Sequence, residues 1–204
     1  MNITHGNILA VFFSANAAEV TEGLNWYRVA NSVAIRLAKQ SNLEGGSYAT
    51  AAIIAVLSPN NKWARNVHDA EALIKVHEAG GDCEAVKVST YGQNKAKAIR
   101  ILQGENIPDV LGGRKIKAFY ECIVRPENDD TVCVDGHAYS IWLGQKVSTS
   151  KTPTISAKLY ETISRDYGIA TKQINLITGE QYTPAQVQAV TWTAWRNLIK
   201  KGAE

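Results

Sequence analysis

Seven consecutive apolar residues, Ala51-Ala52-Ile53-Ile54-Ala55-Val56-Leu57, end abruptly at Ser58-Pro59-Asn60-Asn61. A helix built from them has no polar side to give to water, so it belongs in the middle of a core, covered by other elements all round. Ser47 stands where it could cap that helix. The neighbouring patterns are helical too. Leu24, Tyr27, Val33, Ile35 and Leu37 fall at roughly helical spacing with no proline among them, and Trp63 to Ala79 reads as a helix ended by Gly80-Gly81. Ser89 or Thr90 is placed to cap a helix through Ala96, Ile99 and Leu102, closed by Gly104, with a turn at Asn106-Ile107-Pro108-Asp109 behind it.

Further helices are expected from about Lys115 to Val124, from Asp135 to Leu143 and from Thr154 to Tyr167. Thr183-Pro184 opens the last one, with proline at its first position, and Val190, Trp192, Ala194, Trp195 and Leu198 give it a largely apolar surface. Arg125 to Thr131 reads as a polar loop and Gln145 to Thr154 as a connection inside one unit. Ile169 to Tyr182, the least regular stretch, reads as a loop or a small extended hairpin. The chain is therefore expected to be all-α and, at 204 residues, to form a single domain around one core of ordinary size.

An apolar share of 45% with 20% charged residues is the balance of a chain that folds without a partner. The formal net charge of +3 permits a basic face for nucleic acid without demanding one. Cys83, Cys122 and Cys133 are odd in number and lack CxxC spacing, which points to reduced, buried thiols in a cytoplasmic protein rather than a disulfide framework or zinc site. Three are too few for a four-cysteine iron–sulfur cluster. His5, His68, His77 and His137 form no ligand-spaced pair, so no metal site is expected. Ile8 to Phe13, followed by Ser14-Ala15-Asn16-Ala17, has the look of an export leader, but no Lys or Arg precedes it and the run is short. No segment approaches the ~20 apolar residues of a membrane span.

The stretch richest in chemistry is Leu111-Gly112-Gly113-Arg114-Lys115-Ile116-Lys117, followed downstream by Val132-Cys133-Val134-Asp135-Gly136-His137. Two glycines before a helix leave backbone N–H groups exposed at its positive end, which suits a phosphate; an ordinary inter-helix turn has the same composition. Asp135 is also well placed simply to cap the helix beginning near Gly136. Trp63 and Tyr120 are aromatic candidates for stacking on a base, or for the core.

Together these motifs resemble the hairpin, lysine helix (residues 106–124) and Val-Asp-x-His element (residues 132–143) of helix-hairpin-helix DNA glycosylases of the endonuclease III kind. Residues 52–61 with Asn66 and Ala70 resemble that family's buried helix and the turn after it, and Gln186 to Arg196 resembles its closing helix, so the likeness spans roughly residues 45–200. Three features depart from the family pattern. The hairpin reads Leu-Gly-Gly-Arg-Lys in place of Leu-Pro-Gly-Val-Gly and is one residue shorter, the lysine register is open between Lys115 and Lys117, and the iron–sulfur cysteines are missing, as in several branches of the superfamily. The pattern is also similar to that of small bacteriophage proteins.

The resemblance implies an all-α glycosylase-like domain with a cleft between two helical groups, one of them containing both termini. It implies a monomer that binds DNA, flips out a modified or damaged base and excises it. Asp135 would be the catalytic carboxylate and Lys115 or Lys117 a possible Schiff-base nucleophile. Asn60 or Asn61 would fill the gap left by the flipped nucleotide. Gly112, Gly113, Arg114 and His137 would contact phosphate, and Trp63 and Tyr120 would stack on the base. It implies no organic cofactor, although the family accepts a monovalent cation at the hairpin, and a cytoplasmic location, in the host cell if the chain is phage-encoded. Two other functions fit the same fold: a phage transferase that hypermodifies DNA bases, and a DNA-binding module without catalysis.

Overall fold

The computed structural model describes residues 4–127, 131–148 and 151–201. Among them are ten α-helices and no strand: α1 (Thr4–Ser14), α2 (Ala17–Lys39), α3 (Gly46–Leu57), α4 (Trp63–Glu78), α5 (Gly92–Leu102), α6 (Ile107–Val110), α7 (Arg114–Val124), α8 (Gly136–Leu143), α9 (Ala157–Thr178) and α10 (Pro184–Lys201), with a 3-10 turn at Cys83–Ala85. The chain is all-α, as its patterning requires. It divides into two compact units, residues 1–27 with 126–204, and residues 28–125, so the division falls within α2.

In the unit of residues 28–125, α3 is the centre, packed against α4, α5 and α7. Ala49 to Leu57 are all buried, as a helix without a polar side must be. The polar groups that reach it are paired. Thr50 Oγ1 donates to Ala34 O of α2 at 2.7 Å, and Asn66 Nδ2 of α4 donates to Ile54 O at 3.0 Å.

In the other unit, α1 packs against α8, α9 and α10. The apolar run at residues 8–13 lies in α1, with Ile8, Val11 and Phe12 buried. Asp166 of α9 ties three elements: its Oδ2 accepts from Thr4 Oγ1 at 2.5 Å and from Trp142 Nε1 at 2.8 Å. Thr183 and Gln186 exchange two hydrogen bonds in a capping box ahead of Pro184. Gly23 of α2 lies against the backbone of Val190 in α10.

Several local expectations are corrected. Ile169 to Tyr182 is neither loop nor hairpin, because α9 runs on to Thr178 with Ala170, Thr171 and Ile174 buried at helical spacing, and ends at Gly179 with φ 74°. Its start is at Ala157, not Thr154, with Ser156 as its cap. Ser47 lies inside α3, whose N-cap is Gly45 in the left-handed region at φ 83°. Neither Ser89 nor Thr90 caps α5; that position is Tyr91, while the Thr90 hydroxyl donates to Pro59 O at 2.8 Å. The turn expected at 106–109 winds into the four-residue helix α6. Of the connections expected at 125–131 and 145–154, residues 128–130 and 149–150 lie outside the described residues.

Candidate functional site

Asp135 is the N-cap of α8, in extended backbone conformation, and its Oδ1 accepts from Ala138 N at 2.8 Å. The cap fixes the plane of a half-buried carboxylate. Oδ2 has no hydrogen-bond partner among the described residues. The segment that delivers Asp135 is held from below. Val132, Cys133 and Val134 are buried and lie in neither helix nor strand. The Tyr160 hydroxyl of α9 donates to Val132 O at 2.8 Å and accepts from Val134 N at 3.1 Å. One buried phenol thus satisfies a donor and an acceptor of a segment that has no strand to pair with. Tyr167, fully buried and 3.4 Å from Thr191 Oγ1, has its phenol pushed well above the ordinary value by burial, with the charge of Asp135 adding to the effect.

His137, the second residue of α8, meets Trp192 of α10 edge to face, with ring centroids 6.5 Å apart. Trp192 also meets Trp26 of α2 at 4.8 Å, and the Arg196 guanidinium carbon lies 4.3 Å from its ring centroid. All four side chains are half-buried. The unit of residues 1–27 with 126–204 therefore presents a carboxylate, two indoles, an imidazole and a guanidinium from a contiguous set of elements.

The remaining candidates belong to the other unit. Leu111 is buried and anchors the hairpin, Gly113 takes φ 72° as N-cap of α7, and no side chain caps that helix. A β-carbon at Gly112 would lie 2.6 Å from Lys97 Nζ, so glycine is required for the α5 lysine to lie over the hairpin. Lys97 has no ion pair among the described residues, and sequence reasoning had not singled it out. With Arg114 and Lys115 it adds positive charge to a helix N-terminus that already favours anions. Lys115 is half-buried on the face of α7 that carries Ala118 and Cys122, whereas Lys117 is exposed. Trp63 and Tyr120 both lie half-buried against the hydrophobic core around α3, and burial, with the Glu121 charge after it, raises the Tyr120 phenol.

The turn after α3 separates the two asparagines. Asn61 Nδ2 donates to Leu57 O at 3.3 Å and to Asp69 Oδ2 at 3.2 Å, which ties it into the protein. Asn60 is exposed at φ 55°, a conformation asparagine adopts more readily than most residues. Asp69, fully buried, is the hub of the turn: it also accepts from Arg65 Nε at 3.0 Å and Ser89 N at 2.7 Å.

A protein-family model, described as "Family of unknown function (DUF7178)", matches residues 2–199. The chain belongs to the DUF7178 family. No curated protein and no solved structure matches it. In this DUF7178 chain, no group of three or more His, Cys, Asp or Glu side chains among the described residues is arranged to hold a metal ion. Its three cysteines are buried and free, and burial raises the Cys83 thiol. No described helix is long and apolar enough to cross a membrane. Tyr160, Trp26, Trp192 and Arg196 were missed in the sequence. Only the i, i+4 pairing of Trp192 with Arg196 on one helix was there to be read.

Proposed function

We propose that this chain is a DNA glycosylase-like enzyme that takes a modified or damaged base out of the duplex and excises it, with Asp135 as the catalytic carboxylate. It works as a monomer in the cytoplasm, that of a host cell if the chain is phage-encoded. The observation that carries this reading is the Asp135 carboxylate: half-buried, fixed by its own cap, with one oxygen unpartnered and an aromatic, cationic surface beside it. A base cannot be reached inside the stack, so the nucleotide must first be extruded. The C1′–N bond then breaks with its electron pair leaving on the base, which takes up a proton. Positive charge on the sugar is stabilised by the Asp135 carboxylate. Water adds through oxygen to C1′ and gives its proton to that carboxylate, so the reaction consumes one water and no other reagent. Gly112, Gly113, Arg114 and Lys97 suit a backbone phosphate, and Asn60, rather than the tethered Asn61, suits the vacated stack. Lys115, on the half-buried face of α7, is the better candidate for covalent attack than exposed Lys117.

The test is Asp135→Asn, assayed for base release on duplexes carrying a panel of modified bases. Asparagine still caps a helix, so folding and DNA affinity stay near the parent's while release falls by about 100-fold or more. Full release by the variant, or no DNA binding by the parent at low salt, would overturn the reading. Borohydride trapping in Lys115→Ala and Lys117→Ala identifies any covalent lysine.

A further inference from the structure

We infer that Arg196, Trp192, Trp26 and His137 form a nucleotide-binding site, in which the Arg196 guanidinium receives a phosphate oxyanion and the rings offer a surface to the base. The inference builds on the proposed DNA activity for the source of the nucleotide, but its geometry lies wholly within the unit of residues 1–27 with 126–204.

Arg196 is the key. Its guanidinium lies over the Trp192 ring, 4.3 Å from the centroid. That contact is not a hydrogen bond, and the N–H donors of Arg196 make none to the described residues. No carboxylate takes them: Arg196 has no ion pair among the described residues. The acid that bonds the next residue of α10 is already committed. Glu19, buried, accepts from Asn197 Nδ2 at 2.9 Å through Oε1 and from Asn16 N at 3.0 Å through Oε2. A half-buried cation on an indole ring, with no carboxylate paired to it among the described residues, can receive an anion from outside. A guanidinium fork matches two phosphate oxygens at once, which an ammonium does not.

The second half of the site is aromatic. Trp26 and His137 flank Trp192, and both are half-buried. Indole faces stack on any base, and His137 adds ring nitrogens for hydrogen bonding. An anion on a guanidinium next to half-buried aromatic rings is the chemistry of a nucleotide rather than of a free inorganic ion. His137 also stands two residues after Asp135, the N-cap of α8, so the surface adjoins the carboxylate proposed for catalysis.

The nucleotide could belong to a DNA strand or be free, and two titrations separate these sources. Tryptophan fluorescence is followed as the full chain is titrated with thymidine 5′-monophosphate, and binding to a short single-stranded oligodeoxynucleotide is measured at several salt concentrations. Arg196→Gln is expected to weaken both. It should also make the log–log salt dependence of strand binding shallower by about 0.7, the share of one phosphate. Lost packing alone would not move that slope. Trp26→Leu should lower affinity and leave the slope unchanged. Should Arg196→Gln melt far below the parent, Arg196→Lys replaces it: it keeps the charge, so the slope should hold, and loses the fork, so affinity for both probes should fall. DNA binding with an unaltered slope and affinity in the arginine variants overturns this site and leaves the DNA reading standing. Arg196-dependent binding of the monophosphate without strand binding upholds the site and removes the DNA reading. Binding of neither probe by the parent overturns both.

Discussion

A β-carbon added at Gly23 would lie 2.4 Å from Cα and 2.6 Å from N of Val190. Carbon atoms in contact sit about 3.5–4.0 Å apart, so α2 and α10 would have to part by roughly 1 Å at their crossing. Both atoms are backbone, and no change of rotamer relieves the clash. Against this, alanine favours a helix over glycine by about 1 kcal/mol. Overpacking costs about 1–3 kcal/mol, and a clash against backbone belongs at the upper end. Gly23→Ala should therefore lose about 1–2 kcal/mol, or about 2–8 °C in melting temperature for a chain of this size. Gly168 provides the control. It lies within α9, and its added β-carbon meets nothing within 4 Å. There only the propensity gain remains, and Gly168→Ala should melt about 2–4 °C higher. Thermal unfolding followed by circular dichroism reads both. Gly23 also precedes Trp26 by three residues, and Val190 precedes Trp192 by two, so the Gly23 variant should change the tryptophan emission of the native state. A Gly23→Ala protein as stable as the parent would show that the two helices do not meet at this distance.

Three further outcomes follow from buried polar groups. Thr193 Oγ1 is buried without a partner among the described residues, whereas the Thr191 hydroxyl donates to Gln188 O at 2.9 Å and lies 3.4 Å from Tyr167 Oη. Thr193→Val should stabilise by about 1 kcal/mol and Thr191→Val destabilise by about the same, and urea midpoints moving the same way would refute the assignment. Burial alone would raise the Asp166 carboxyl, but hydrogen bonds from Thr4, Trp142 and Arg165 hold it below the ordinary value. Its contribution to stability is then complete above about pH 5 and lost as pH falls through the depressed folded value, so Asp166→Asn should flatten the acid limb of melting temperature against pH. Asp69→Ala strands the Ser89 N–H and the Asn61 amide and should cost about 2–4 kcal/mol in denaturant unfolding; a loss below about 1 kcal/mol would mean that Asp69 does not hold the turn.

How far the fold could be read depended on whether its signals were local. Ala51 to Leu57 marked a central buried element because an all-apolar run must be covered all round, and its alanines and the helical patterns on both sides favoured a helix over a buried strand. The stretch after Tyr167 misled because its tail breaks the pattern: Leu176 is 85% and Ile177 67% exposed, while the buried positions include Thr171. An apolar pair facing solvent, next to a threonine facing the core, erases the helical period over that turn. The caps failed differently. Thr90 is a good cap residue, but its hydroxyl has a better use at Pro59 O, which lies 31 positions earlier and is invisible to a local reading. Lys97 over Gly112 is long-range in the same sense.

The candidate site divides along the same line. Asp135 was readable as a helix cap, an acid at a helix N-terminus with one oxygen turned to the backbone and one left over. The clamp beneath it was not, because Tyr160 lies 26 positions from the N–H it accepts and nothing in Lys158-Leu159-Tyr160-Glu161 hints at that duty. The Trp26–Trp192 contact joins the two ends of the chain, yet it left one trace. A glycine inside a helix costs about 1 kcal/mol relative to alanine and is retained where another backbone comes too close for a β-carbon. Gly23 is such a residue, one turn before Trp26, so the glycine marks where α10 crosses α2 and hence which tryptophan can meet Trp192. The same crossing that makes Gly23→Ala destabilising is what sets Trp26 beside the indole on which Arg196 rests.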